Sequence, residues 1–298
     1  MILRLDRRQW GASASAPSSH EGDSTAQLEA GALLLMPELA FDVHPTERVH
    51  FSPSIAAAKN VSFDPSRKGK RVVSGFSRMA RENGGGVMEL VSAMLRRFGD
   101  SAEAVVDALF PRYRGRLERA RASFRPAEIA GRKTSWRQDD TRLHIDAFPA
   151  TPVQGRRILR LFTNVNPEGR PRSWRLGEPF EELAQRFGGD LRVPRPFRLE
   201  LLRLTGITKS RRSAYDALML QLHDRMKADL AYQARVPRTP IDFPAGSTWI
   251  AFTDQVSHAA VAGQYQLEQT FLLPVEAMQG PERSPLRILE RMKGRRLA

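Results

Sequence analysis

The sequence predicts an α+β fold: a double-stranded β-helix, the jelly-roll or cupin-like barrel, with flanking helices that are largely N-terminal. Three observations predict it. From Ser135 to Leu273 the apolar pattern runs mostly at period 2, as in strands with two unlike faces. Before that stretch, and again over residues 210–232, it runs at the 3.6-residue period of helices. Finally, His144 and Asp146 stand two apart, and His258 follows a later strand. Alternate strand residues share a face, so the first two point the same way. Two imidazoles and a carboxylate are the ligand set that such a barrel can bring together.

Composition narrows the classes. The chain has 298 residues, 41% hydrophobic and 27% charged, ordinary for a folded protein with a real core. We read residues 1–298 as a single domain: an N-terminal helical and extended flank to 130, a jelly-roll core over 131–275 and a basic tail over 276–298. The net charge of +14 favours nucleic acid, an anionic membrane or an acidic substrate as partner. With no cysteine, disulfides and thiolate catalysis are excluded, and a metal must be held by His, Asp or Glu. Met1–Arg8 carries charge with no apolar stretch behind it, and the run Ala32–Met36 is too short to span a bilayer. The expected location is cytoplasmic, with peripheral contact to the inner membrane.

Element by element, residues 11–25 read as a loosely held segment and 28–41 as a helix or strand joining the core. Pro45, Pro53 and Pro65 break the next stretch into short pieces, and Arg67-Lys68-Gly69-Lys70-Arg71 is a basic loop. Val87, Leu90, Val91, Met94 and Leu95 predict a helix over 87–98; 101–120 predicts two more helical pieces, with Ser101 as N-cap and Pro111 as the break. The run 158–166 is extended, with Ile158, Arg160, Phe162, Asn164 and Asn166 on one face: a wet surface or the lining of a polar cavity. A short helix is predicted near 180–187 and extended pieces near 197–204. Tyr215, Leu218, Met219, Leu222 and Met226 form one stripe of a helix that Ser213 and Asp216 begin as a capping box; His223 and Asp224 lie outside the ligand set. Strands follow over 249–253, with His258 closing that stretch, and over 265–273; Ala259–Gly263 reads as a tight loop. The tail places Leu286, Leu289 and Met292 on one side of a basic helix, either solvated or lying on an anionic leaflet.

His144, Asp146 and His258 fit a facial triad for Fe(II), which leaves positions for a bidentate 2-oxoacid and O2. The same ligands suit a catalytic zinc, so a zinc hydrolase stays open. A nucleic-acid-binding module without catalysis also fits the charge, although no recognition pattern accompanies it. An oxoacid with a distal carboxylate needs a cation. The position ten residues after His258, often an arginine in such barrels, is Glu268, followed by Gln269 and Thr270. Arg160 is the substitute, with Asn164 and Asn166 on its face, and Gln269 and Thr270 complete the expected cosubstrate set.

The runs Arg142–Pro149, Phe162–Pro167, Gly206–Asp216, Phe252–Ala260, Gly263-Gln264 and Leu267–Phe271 resemble the Kdo hydroxylase family. Its members are Fe(II)/2-oxoglutarate-dependent 3-deoxy-D-manno-octulosonic acid 3-hydroxylases. The resemblance spans roughly residues 120–275. It implies His144, Asp146 and His258 as iron ligands, 2-oxoglutarate and O2 as cosubstrates with ascorbate as a supporting reductant, and the Kdo-lipid A glycolipid of the lipopolysaccharide inner core as substrate. It also gives the positive charge a purpose, since the sugar carries a carboxylate and lipid A carries phosphates. Arg125, Arg132, Arg137, Lys209, Arg211 and Arg212 are then the expected anion contacts around the barrel mouth.

Overall fold

The computed structural model describes residues 1–8, 10, 24–67, 72–82, 86–195, 197, 204–205, 208 and 210–298. In chain order the strands are β1 (Ile2–Arg4), β2 (Leu33–Met36), β3 (Val61–Phe63), β4 (Val73–Ser74), β5 (Glu118–Arg125), β6 (Arg157–Asn164), β7 (Arg172–Leu176), β8 (Thr239–Phe243), β9 (Thr248–Phe252), β10 (His258–Ala262) and β11 (Gln266–Leu273). They form an 8-stranded sheet in the order β1-β2-β9-β6-β11-β5-β3-β4, and a 3-stranded sheet in the order β10-β7-β8. All neighbours are antiparallel except β1 and β2. The fold is the expected double-stranded β-helix with flanking helices.

Strand alternation sorts the side chains into two cores. Leu33, Leu35, Phe162, Trp174, Trp249 and Phe243 fill the space between the sheets. Phe243 and Trp249 stack at 3.8 Å between ring centroids, and such aromatic pairs add to the area that they bury. Leu34, Met36, Leu159, Leu161, Leu267 and Phe271 face the other way, into a larger core roofed by helices. The main roof is the long helix Gly86–Leu109, which packs on β3, β5 and β11.

The helices are α1 (Ser24–Glu29), α2 (Pro45–Arg48), α3 (Arg78–Glu82), α4 (Gly86–Leu109), α5 (Phe180–Gly188), α6 (Ala214–Ala228), α7 (Leu230–Arg235) and α8 (Pro285–Lys293). The capping box predicted for α6 is present. Ser213 Oγ accepts from Asp216 N–H at 3.1 Å, and Asp216 Oδ2 accepts from Ser213 N–H at 2.9 Å. Asp216 Oδ1 also accepts from the N–H groups of Val153 and Gln154, tying the loop after Asp146 to the helix start. Tyr215, Leu218, Met219, Leu222 and Met226 are all buried, as their stripe requires.

Several expectations are corrected. The boundary at 131 cuts through the barrel, because β1 to β5 all precede it and belong to the large sheet. Ser101 caps no helix, since α4 runs unbroken through it to Leu109; the break at Pro111 holds, with a short 3-10 helix over Pro111–Tyr113, and a strand begins at Glu118. Ser24 and Thr25, placed in the loose segment, start α1. Ala259–Gly263 is not a loop up to Ala262; His258 opens β10, and the small side chains suit a strand lying against Trp174 of β7. Gly263 makes the turn itself, at φ +102°, where a Cβ would sit 2.8 Å from Pro171 O. The tail turns most of its apolar side inward and leaves only Met292 of the expected stripe exposed. Leu286, Ile288 and Leu289 are buried, α8 packs on α5, and Lys293 Nζ donates to Gly188 O and Leu191 O at 2.8 Å. The extended pieces near 197–204 lie outside the described residues except at 197 and 204, as do Lys68 to Arg71 of the basic loop.

Candidate metal centre and cosubstrate pocket

The chain segment before Asp146 runs alongside the start of β10. His144 N–H donates to His258 O at 3.0 Å and His258 N–H to His144 O at 2.9 Å. Asp146 N–H donates to Thr253 O at 2.8 Å. This double strap brings residues more than a hundred positions apart to one point. One ligand atom from each of His144, Asp146 and His258 lies within 4.8 Å of the others, and His144 Nε2 stands 3.9 Å from Asp146 Oδ1.

The imidazoles are fixed from behind. Nδ1 of His144 lies 2.8 Å from Arg142 O, and Nδ1 of His258 lies 2.8 Å from Val256 O. A carbonyl only accepts, so Nδ1 carries the proton in both rings and each Nε2 keeps its lone pair for a metal. Trp174 stacks on His258 at 5.0 Å, and the His223 ring meets His144 edge-on at 5.5 Å. Burial first, then the neighbouring cationic form of His258, holds the His144 pKa well below the ordinary value; burial likewise lowers that of His258. Both rings are therefore neutral donors at neutral pH. Burial alone would raise the Asp146 carboxyl, but the Arg160 guanidinium above all, helped by the Thr253 side chain, holds it below the usual range.

The turn that leads to His258 rests on a buried ion pair. Arg157 grips Asp254 through Nε at 2.8 Å and Nη2 at 3.2 Å, and also donates to Gln255 Oε1 at 2.6 Å. Gln255 Nε2 reaches Glu29 O of α1, so the N-terminal flank props the loop that carries the second histidine.

Beside the metal ligands lies a dense set of charges. Arg160 donates to Asp146 at 2.7 Å and to Glu268 at 2.7 Å. Arg125 grips the same Glu268 at 2.7 and 3.1 Å. Asp140 takes Lys59 at 3.2 Å, Arg132 at 3.1 Å and Arg125 at 3.4 Å. Arg172 donates to Gly263 O at 2.7 Å. With Lys227 and Arg142, these cations outnumber Glu128, Asp139, Asp140, Asp146 and Glu268 seven to five. Burial, then Arg125, pulls Arg172 down to about 9, the mark of a buried cation short of anions. The Nε groups of Arg160 and Arg172 are buried without a partner.

The expected site residues divide. Arg160 and Thr270 face each other across β6 and β11 on the inner face. Gln269 is on the opposite face, where its Nε2 donates to Ala120 O at 3.1 Å; alternation along β11 excludes it from the pocket. Asn164 donates to Arg170 O and Phe243 O, and Asn166 Oδ1 accepts from Glu168 and Arg170 N–H groups. Both asparagines organise the turn after β6 rather than the pocket. Arg125, expected at the mouth, points into the barrel because it sits opposite Gln266 on the inner face of β5. Arg132 is committed to Asp140; Arg137 stacks on Trp136 at 4.1 Å and pairs with Asp224 at 3.0 Å; Arg212 donates to Pro149 O at 2.6 Å. Arg211 lies next to the 147–154 loop, its carbonyl accepting from Gln154. Lys209 lies outside the described residues. The sequence reading missed Arg172 and Trp174, whose signal was period 2 in Arg-Ser-Trp-Arg-Leu, and it placed His223 apart from a ring that it touches.

A sequence profile described as 3-deoxy-D-manno-oct-2-ulosonic acid (Kdo) hydroxylase matches residues 10–296. The chain belongs to the Kdo hydroxylase family. The structure of the Kdo hydroxylase KdoO, a non-heme Fe(II) alphaketoglutarate-dependent dioxygenase, in complex with alphaketoglutarate and Fe(III) is 44% identical over 100% of this chain and 97% of that one, with a TM-score of 0.91. KdoO with cobalt(II) is 44% identical, covering 99% and 97%, at 0.91; KdoO with succinate and Fe(III) is 43% identical with the same coverage, at 0.90. No protein with a curated description matches significantly. The donor set fits the iron of these relatives, and two orphaned guanidinium N–H groups in a cation-rich pocket fit a dicarboxylate cosubstrate.

Proposed function

We propose that this Kdo hydroxylase family member is an Fe(II)/2-oxoglutarate-dependent dioxygenase that adds a hydroxyl to carbon 3 of the Kdo sugar in Kdo-lipid A. The single observation that carries the reading is the convergence of His144, Asp146 and His258 beside a surplus of buried arginine, in a fold shared with an iron- and oxoacid-loaded relative. Bound iron supplies O2 activation coupled to decarboxylation of the oxoacid.

The chain's own residues do the rest. Arg142 O and Val256 O hold the two imidazoles in one tautomer and orientation. Arg160 orients Asp146 and, with Arg125, Arg172 and Thr270, forms the seat for the carboxylates of 2-oxoglutarate; a guanidinium fork matches such a group bidentately. Trp174, Trp249 and Phe162 wall the inner side and keep water from the reacting centre. Arg132, Arg137, Lys209, Arg211 and Arg212 remain the proposed contacts for the anionic glycolipid, with Arg137 and Arg211 exposed. No helix among the described residues is long and apolar enough to cross a membrane. We place the protein at the cytoplasmic face of the inner membrane, held peripherally by its basic surface, since α8 has spent its apolar side on α5.

The test is incubation of Kdo-lipid A with the protein, Fe(II), 2-oxoglutarate and air. The reading expects a product heavier by one oxygen and succinate in equal amount. An unchanged glycolipid mass with iron-loaded, folded protein would contradict it.

A further inference from the structure

We propose that Lys227 recognises the carboxylate of the sugar acid beside the metal centre. The inference rests on the functional reading above and deepens it. Lys227 lies in the last turn of α6, four residues after His223, so the two side chains leave the same face of the helix. His223 reaches the ring of His144. Lys227 is 2% exposed, and its ammonium donates to Arg137 O at 2.9 Å. Among the described residues no carboxylate stands within ion-pair distance of it.

An ammonium has three N–H donors. Burying it against one neutral carbonyl is a costly arrangement that an arriving anion relieves. The carboxylates that influence it, Asp140, Asp146 and Asp139, are already engaged: Asp140 by Lys59, Arg125 and Arg132, Asp146 by Arg160 and the metal site, and Asp139 by Arg142. The position is held from both sides. Arg137 supplies the carbonyl and pairs with Asp224, while Arg142 Nη1 donates to Lys227 O at 2.7 Å and is itself held by Asp139.

Charge and geometry then select the ligand. An iron dication and an oxoacid dianion cancel, so the surplus of cations persists after both have bound. In a 3-deoxy-2-ulosonic acid the carboxylate carbon is two bonds from carbon 3. Whatever holds that carboxylate must therefore stand next to the metal centre. Lys227 is the cation there that has no carboxylate partner among the described residues and does not sit on the cosubstrate strands.

The test compares the wild type, Lys227→Met and Lys227→Arg in full-length, iron-loaded protein. Each is given Kdo-lipid A and the same glycolipid with the sugar carboxyl converted to its methyl ester. The wild type is expected to show a KM for the ester roughly ten- to a hundredfold above that for the acid, the range for a charge-assisted hydrogen bond. Lys227→Met raises the KM of the acid by a similar factor and loses the discrimination, with 2-oxoglutarate affinity by anaerobic calorimetry unchanged. Lys227→Arg restores part of the preference. A Lys227→Met protein that still prefers the acid as the wild type does overturns the assignment, and so does a matching fall in 2-oxoglutarate affinity. If Lys227→Met does not fold, a wild-type acid-to-ester ratio near one overturns it alone. A wild type that turns over neither glycolipid removes the functional reading, and this inference with it.

Discussion

Arg160 donates to Asp146 Oδ2 at 2.7 Å, so the carboxylate offered to the metal is shared with a guanidinium of the cosubstrate pocket. The same arginine holds Glu268 at 2.7 Å. Glu268 stands where many barrels of this architecture carry the cosubstrate arginine. Here the polarity is reversed: the strand supplies an anion, and Arg125 and Arg160 converge on it from the strands to either side. Burial would raise the Glu268 carboxyl, but the two arginines hold it below the usual range, so it stays charged and keeps both forks in place.

Arg160→Met is expected to raise the half-saturating concentration of 2-oxoglutarate by roughly ten- to a hundredfold, since one charge-assisted fork is lost. Arg160→Lys should recover only part of this, because a point charge cannot span Asp146 and Glu268 together. Binding of 2-oxoglutarate to anaerobic, iron-loaded protein measures it. Equal affinity in Arg160→Met would move the cosubstrate elsewhere.

Stability of the metal-free protein should fall as pH drops below about 6.5, the ordinary histidine value. His144 and His258 have folded pKa values lowered by burial, so below that point the unfolded chain takes up protons that the native state refuses. The contribution is neutral well above pH 6.5 and grows as a cost down to the folded values. Asp146 and Glu268, with depressed values, add their own loss only at lower pH, where the unfolded carboxyls protonate. Melting temperatures of metal-free protein from about pH 7.5 to about pH 5.5 check this. A flat or rising profile would contradict neutral, buried imidazoles.

Leu289→Ala in α8 should destabilise the protein by about 2–5 kcal/mol, the range for deleting a buried leucine. Leu289 is 0% exposed and belongs to the main core. Denaturant melts measure it; a change below roughly 0.5 kcal/mol, typical of a surface site, would mean a tail that packs on nothing.

How much of this was legible in the sequence depended on range. The capping box of Ser213 and Asp216, the stripe on α6 and the shared face of His144 and Asp146 are local periodicities, and the chain spells them out. The pairing of His144 with His258 was legible only through residue type, two imidazoles and a carboxylate; no strand forms over 144–146, where His144 makes an isolated bridge to His258. What stayed hidden depends on neighbours far along the chain. Leu33–Met36 is a continuous apolar run, which suits a strand buried on both faces as well as a helix segment, so its place beside β9 was not readable. Arg125 looked like a surface cation until Glu268, 143 residues away, was found gripped by its guanidinium. Gln269 and Thr270 are adjacent, and only the register of β11 tells which of them turns inward.

One measurement bears on the three ligands themselves: anaerobic Fe(II) binding to the wild type, Asp146→Ala and His258→Ala, with melting temperatures recorded alongside. We expect one ion per wild-type chain and an affinity at least about a hundredfold lower in each variant, because removing a ligand costs more than removing its support. The variants should remain folded, and 2-oxoglutarate turnover to succinate should vanish with the iron. Stoichiometric iron and full turnover in His258→Ala would contradict the metal centre described here.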